Sequence, residues 1–535
     1  MRIKAILFSI VLLTAAVHLF KINSLPICLN ADEATFGYNS FSILKTGKDE
    51  YGMMLPLRLK SFGDYKLPLY SYLSIPFIGA FGLSELSTRI LAILIGILFP
   101  LAAYFLTKEL FEDERVALLS AFLSGVSPWI QTIARQAHEA PLAVFLLTIT
   151  ATLLLKFIKT NDRRYLFVFS IFEFVSLFAY HLSRPIAFGM VLYLVFILYK
   201  GSKQKLNTKV ALILIAAVPL LLFTFTDILY NPTRLKNLAF YNDGGFKLEI
   251  KQKLLEKNLP LFYNPVTQAL VTLPNEYIKY FSPEFLVEHG DVNNRFGYPG
   301  ISLLTIVEYL FIFVGLYFLF KKKPKHLSFL VTLTLLAPLA ASLTLFEYSA
   351  TRSLFLVIPL LMIISYGVVS LFDVIPKKFQ RVSMSLLVSV FLFFNFMSWD
   401  FYFFHYPQRA VAVRSWQCGY KELTRYVSDT YDTFDRFNIT TRNGEPYIFM
   451  LFYSKYPPEK YQKQAKLSPP DEYGFGQVWE FDKYDFRLNM DKKTPRTSYV
   501  GFPEHFETRK DIDQAKIKKI TVGTEEIFWI YENAE

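Results

Sequence analysis

The chain has 535 residues, of which 53% are hydrophobic and only 19% charged, with 54 Phe and 33 Tyr. That composition excludes a soluble globular protein and predicts a polytopic membrane protein embedded in the lipid bilayer. The formal net charge of +12 does not indicate nucleic acid, because the basic residues fall in short connections between apolar runs, where the positive-inside rule expects them.

Candidate spans of about 17 to 25 residues lie at 5–22, 86–107, 116–131, 140–158, 165–181, 185–200, 210–228, 301–320, 327–346, 353–372 and 383–403. That gives about 11 transmembrane helices. The first, behind Arg2 and Lys4, reads as a retained anchor, since no small-residue cleavage site precedes Lys21. Basic residues recur in alternate connections: Lys108 with Arg115, Lys156 to Arg164, Lys200 to Lys209, Lys321 to Lys325, and Lys377 to Arg381. They share a side with Arg2 and Lys4, which makes that side cytoplasmic. An odd number of spans then puts the C-terminus outside, in a multi-pass protein of the plasma membrane.

The long polar segments 23–85, 229–300 and 404–535 thus face outward. Residues 1–403 are expected to form the transmembrane domain, and 404–535 a small extracytoplasmic α/β domain. In the tail, Tyr420 to Thr433 has the spacing of an amphipathic helix, Phe437 to Thr441 reads as a strand, and Glu445 to Tyr456 as a second helix. Lys516 to Val522 and Glu526 to Tyr531 alternate like a hairpin around Gly523. The cysteines, Cys28 and Cys418, supply neither a disulfide scaffold nor a cysteine metal site. Both fall on the outer side, where a bridge is conceivable, but the expected state is two unpaired thiols.

Just past the first span, Asp32 and Glu33 stand side by side, and Lys66 follows among Tyr65, Tyr70 and Tyr72. Such carboxylates can take a proton or hold a metal, and such an ammonium can hold a phosphate. The plainer alternative is a pair of solvated acids and a snorkelling lysine. Between spans three and four, Arg135-Gln136-Ala137-His138-Glu139-Ala140-Pro141 puts an imidazole and a carboxylate at a helix start that tolerates Pro141.

Acids from two outer loops with one imidazole suit Mg²⁺, Mn²⁺ or Zn²⁺, so Asp32 and Glu139 are candidate metal ligands. Alternatively His138 merely caps its helix. Arg352, at the mouth of span ten, is a second candidate phosphate contact or an interfacial anchor. The acidic stretch from Phe281 through Glu284, Glu288, His289 and Asp291 to Arg295 reads first as a solvated loop and second as a ligand or metal site. Glu173, in the middle of span five, is an ionisable group at membrane depth with no obvious partner in neighbouring spans.

The acidic pair after the first helix, the segment Tyr65-Lys66-Leu67-Pro68-Leu69-Tyr70, and Ser87-Thr88-Arg89-Ile90 opening the second helix resemble the GT-C membrane glycosyltransferases, specifically the protein O-mannosyltransferase and aminoarabinose-transferase branch. The likeness covers nearly the whole chain, is strongest over 25–140 and weakest in the tail. It implies transfer of a sugar from a polyprenyl-phosphate carrier to a protein, lipid or glycan acceptor on the outer face, with inversion at the anomeric carbon.

By position, the resemblance makes Asp32 the general base, with Glu33 supporting it. It makes Glu139, beside His138, a residue that holds a metal or orients the acceptor, and Lys66 the contact to the carrier phosphate. The leaving group would be an anionic phosphodiester, which a cation or metal stabilises, while the attacking oxygen needs a base. Two departures stand out. The second loop reads His138-Glu139 where the mannosyltransferases carry Asp-containing pairs, and the region between spans seven and eight, about seventy residues, is short for their internal domain.

The competing readings are a secondary transporter and a noncatalytic cell-envelope membrane protein. A transporter would show internal repeats and charges near the midplane, whereas the acids here gather in the outer loops.

Overall fold

The computed structural model describes the chain apart from residues 1, 63, 202–204, 231–243, 257–260, 263, 298–301, 345–347, 443, 470–475 and 535, and apart from the side chains of 64, 201 and 227–230. Much of the predicted outer loop 229–300 therefore lies outside the described residues. The chain divides into two compact units, Met1–Phe20 with Ala92–Tyr402, and Lys21–Leu91 with Phe403–Glu535. The first outer segment thus groups with the tail.

All eleven predicted spans fall on helix. They begin with α1 (Arg2–Leu19) and continue, after the outer segment, with α4 (Glu85–Phe111), α5 (Glu114–Val126), α6 (Pro128–Ala134), α7 (Glu139–Thr160), α8 (Arg163–Leu177), α9 (Ser183–Gly201) and α10 (Leu206–Tyr230). The helices Ile306–Lys322, Leu327–Leu336, Val357–Val374 and Lys377–Asp400 follow. Seven of the described helices are long and apolar enough to cross a membrane, and α5 with α6, bent by 50°, makes an eighth. The bend sits at Ser127-Pro128, where proline ends one helix and opens the next. The remaining spans are shorter: α8 has 15 residues and Ile306–Lys322 has 17, below the ~20 residues that a straight crossing needs.

Small residues allow a close helix approach in this first unit. A Cβ on Gly315 would stand 2.2 Å from the Ile363 carbonyl oxygen, and one on Gly367 would stand 2.6 Å from the Gly315 nitrogen. The helices Ile306–Lys322 and Val357–Val374 therefore meet backbone to backbone, as small-residue membrane helix pairs do.

In the second unit, residues 21–91 fold into α2 (Ala31–Thr46), the hairpin β1 (Leu59–Ser61) and β2 (Asp64–Lys66), α3 (Leu69–Phe81) and the start of α4. The tail gives the helix Tyr420–Asp429, strand β3 (Arg436–Ile439), the helix Pro446–Tyr453, and the strands β4 (Lys466–Leu467), β5 (Val478–Phe481), β6 (Tyr484–Asp485), β7 (Thr497–Gly501), β8 (Lys518–Val522) and β9 (Glu525–Asn533). The four tail elements expected from periodicity are all present. The strands β3 to β9 form one seven-stranded sheet of order β4-β5-β6-β3-β7-β9-β8, in which β3 runs parallel to both neighbours and the other pairs are antiparallel.

Cys28 and Cys418 are disulfide-bonded across 390 positions of sequence, which corrects the expectation of two unpaired thiols. The reason is the grouping of 21–91 with the tail, which brings the two Cα atoms to 5.4 Å, within bridging distance.

Candidate active site

The acidic pair does not lie in a loop. Asn30 caps α2: its side-chain oxygen accepts from the backbone nitrogens of Asp32 (3.0 Å) and Glu33 (3.2 Å), and Glu33 Oε2 accepts in return from the Asn30 nitrogen (3.3 Å). This reciprocal arrangement is a capping box. A third nitrogen of the helix start, that of Ala31, donates to Gln417 Oε1 at 2.9 Å, next to the disulfide.

The helix turn sends the two neighbouring carboxylates in different directions. Glu33 is 1% exposed and accepts from Arg89 Nε and Nη2, both at 2.8 Å. Arg89 also donates to the carbonyls of Pro26 (3.1 Å) and Cys28 (2.6 Å). This buried, charge-assisted fork fixes the turn that precedes the helix. Glu33 therefore helps to fix the helix start on which Asp32 stands.

The Asp32 side chain is 40% exposed and Lys66 Nζ stands 2.7 Å from its Oδ1. Lys66, 15% exposed, lies over the rings of Phe36 (4.8 Å) and Phe62 (5.1 Å), so aromatic faces hold the ammonium at the end of its hairpin.

Glu50, which the sequence reading passed over, is buried behind the same hairpin. Its nitrogen donates to Asn39 Oδ1 at 3.0 Å, the Tyr447 hydroxyl donates to its Oε1 at 3.2 Å, and the Tyr51 and Tyr447 hydroxyls are 3.1 Å apart. Burial, with neighbouring Asp49, pushes the Glu50 carboxyl up to about 8, against the pull of Lys66.

The other predicted residues belong to the first unit. His138 is the N-cap of α7, its Nδ1 accepting from the Ala140 nitrogen at 3.0 Å, and its ring stands edge-on to Tyr180 and Phe296, each at 5.5 Å. The geometry is that of the capping alternative. Glu139 opens α7 and is buried.

Arg135, also buried, donates to the carbonyls of Val17 (3.1 Å), His18 (2.6 Å) and Phe20 (2.8 Å). It thereby closes the C-terminal end of α1, where helix carbonyls lack partners. Arg352 is half-buried and donates from Nη1 to Thr344 Oγ1 at 3.0 Å.

The acidic stretch is not all loop: Glu284–His289 form a short π-helix, on which Glu284, Glu288 and His289 are exposed, with Tyr348 donating to Glu284 at 3.0 Å. Asp291 differs. It is buried, accepts from the nitrogens of Asn293 (2.8 Å) and Ala350 (2.6 Å), and is pushed up to about 6 by burial. It ties the loop to the segment before Arg352. Glu173 is fully buried in α8.

The structure therefore pairs Asp32 with Lys66 and Glu33 with Arg89, in one unit, while His138, Glu139 and Arg352 belong to the other. Among the described residues, no group of three or more His, Cys, Asp or Glu side chains could hold a metal ion. The partner held by Asp32 is an ammonium, which a metal would have to displace.

Residues 66–227 match the family model described as dolichyl-phosphate-mannose-protein mannosyltransferase. No curated protein sequence matches the chain. Among solved structures, ArnT from Cupriavidus metallidurans bound to undecaprenyl phosphate is 12% identical, covers 98% of this chain and 97% of its own, and superposes with a TM-score of 0.51. Its apo form covers 93% of both chains at 12% identity and a TM-score of 0.50. The Archaeoglobus fulgidus oligosaccharyltransferase complexed with Zn and sulfate is 12% identical over 84% of this chain, with a TM-score of 0.51. This chain spans 61% of that oligosaccharyltransferase's length.

Proposed function

We propose that this chain, which has the fold of the GT-C membrane glycosyltransferases, transfers a sugar from a polyprenyl-phosphate carrier to a hydroxyl acceptor on the outer face of the plasma membrane, with inversion. The single observation that carries the reading is the Asp32–Lys66 pair, a solvent-reachable carboxylate held 2.7 Å from an ammonium on a helix start fixed from behind by Glu33 and Arg89. The family match, which begins at Lys66, and the binding of undecaprenyl phosphate by ArnT support a lipid-linked phosphate donor. The basic residues of alternate connections support an outer C-terminal domain.

Asp32 takes the proton of the acceptor hydroxyl as its oxygen bonds to the anomeric carbon. The bond from that carbon to the carrier phosphate breaks, and its electron pair leaves on the phosphate oxygen. Lys66 gives the developing phosphate charge a fixed cation. In the resting protein the same ammonium stands 2.7 Å from Asp32 and orients it; an arriving phosphate competes for it. No step is routed through a metal.

The test is transfer of radiolabelled sugar from a panel of polyprenyl-phosphate hexoses and pentoses by purified protein in lipid, with protein, lipid and glycan acceptors. Label leaving a donor with wild type and not with Asp32→Asn supports the reading and names the sugar. No transfer from any donor by folded protein would favour a transporter or a noncatalytic envelope protein.

A further inference from the structure

The C-terminal part of the second unit holds a polar cleft of about 1000 Å³, lined by no residue of 21–91 and so separate from the Asp32–Lys66 pair. Strand alternation sets its floor. Arg436, Asn438 and Thr440 of the β3 strand and its end line the cleft, while Phe437 and Ile439 between them are completely buried.

Because the strand order is β6-β3-β7, the chain that leaves β6 must cross β3 to enter β7. Asn438 pins that crossing, donating to the Arg487 carbonyl (3.3 Å) and accepting from the Asn489 nitrogen (2.8 Å). The crossing forms a wall of the cleft. β3 leads through the helix Pro446–Tyr453 to the edge strand β4, whereas β6 leads past β3 to β7, so the connections from these two adjacent parallel strands run in opposite directions along the sheet; open α/β sheets bind ligands at the carboxyl ends of strands where connections diverge. Thr441 and Arg442, which follow β3 directly, stand there.

The lining suits a particular chemistry. Five Lys or Arg side chains and two Asp line the cleft, and most of them are ion-paired: Asp485 with Arg487 (2.9 Å) and Arg436 (3.4 Å), Asp491 with Arg509 (3.0 Å), Glu480 with Arg436 (3.5 Å) and with Arg487, and Asp511 with Arg509 (3.1 Å). Lys492 is exposed, and Arg442, also exposed, has a surface partner in Glu504 at 2.9 Å. Half-buried Trp479 offers an aromatic face, with the Arg487 guanidinium 5.2 Å from its ring centre. Fixed hydroxyl, amide and guanidinium groups beside one aromatic face match a sugar ring, which has polar edges and an apolar C–H face. The exposed Arg442 and Lys492 match an acidic substituent.

We propose that this cleft binds an acidic oligosaccharide, one whose sugars carry carboxylate or phosphate groups. The assignment is independent of sugar transfer at Asp32. The test uses the full-length protein in lipid nanodiscs, titrated with trigalacturonate and with a phosphorylated trimannoside, with maltotriose and a triaspartate peptide for comparison.

Saturable binding of either acidic saccharide, tighter than maltotriose and triaspartate, is expected. Arg442→Ala with Lys492→Ala should weaken it about tenfold or more without changing the melting temperature, since both side chains are exposed. Trp479→Ala should weaken it further, and Asp32→Asn should leave it unchanged. Absence of saturable binding of both acidic saccharides to folded wild type would overturn the proposal. Equal or tighter binding of triaspartate would overturn the saccharide assignment, and binding indifferent to the double substitution would overturn the location.

Discussion

Two helix starts in this molecule carry a similar short signature, a polar cap with acid in the first turn, and use it differently. At α2, Asn30 and Glu33 form a capping box, and Asp32 stands 2.7 Å from Lys66. At α7, the cap is the imidazole of His138, and the acid that follows, Glu139, is buried. A carboxylate beside a helix N-terminus is stabilised by the local dipole in either place. On the proposed function, the accessible one is the proton acceptor.

Substitutions can break that division of labour, and the largest effect is expected at Asp32. Asp32→Asn keeps the shape and removes the base, so transfer should fall by roughly 10²–10⁴ while the melting temperature stays near that of wild type. Retained turnover in the radiolabel assay would remove the distinction between the two helix starts. Arg89→Met should do the converse. It strands Glu33 as a buried unpaired acid, with an expected destabilisation of about 3–5 kcal/mol, read by denaturation in detergent; a loss of transfer with stability intact would place Glu33 in the chemistry instead.

Glu50 sharpens the comparison from behind the hairpin, because it is an acid that the fold keeps protonated. Its folded value of about 8 lies above the ordinary 4.5, so the folded state holds this proton more tightly than the unfolded chain. The associated stability is complete below pH about 4.5 and is lost as pH rises towards about 8. Glu50→Gln should flatten that part of the stability–pH curve, and an unchanged slope would show that another group produces it. Lys66→Ala should weaken donor binding by about 1.5–3 kcal/mol, the range for a hydrogen bond to a charged group. Unchanged donor affinity in a binding titration would leave Lys66 only its pairing with Asp32.

The helices were legible because long apolar runs have few alternatives to a membrane span, and the tail helices and hairpin because their periodicity was clean. The Asn30-x-x-Glu33 spacing is itself a capping-box signature, so the helical setting of Asp32 was within reach of the sequence. The partners were not. Arg89 lies 56 positions from Glu33 and Cys418 lies 390 from Cys28, and no local pattern encodes which distant residue a side chain meets. The two-residue β6, and with it the parallel core of the tail sheet, is too short to carry a period. Asp291, read with its exposed acidic neighbours, is buried because its carboxylate ties two backbone segments together, a role that composition does not distinguish from solvation.

The smallest expected effect tests the second helix start. His138→Ala removes the cap from α7 and should cost about 0.5–2 kcal/mol with only a modest loss of transfer. His138→Asn discriminates further, because asparagine is among the best N-caps but cannot replace an imidazole as a proton carrier or as a nitrogen ligand to a metal. Recovery of both stability and transfer in the asparagine variant would confirm that His138 acts by holding α7, and Glu139 with it, in place. Recovery of stability alone would move His138 from the scaffold to the chemistry, and the two helix starts would then differ less than their hydrogen bonds indicate.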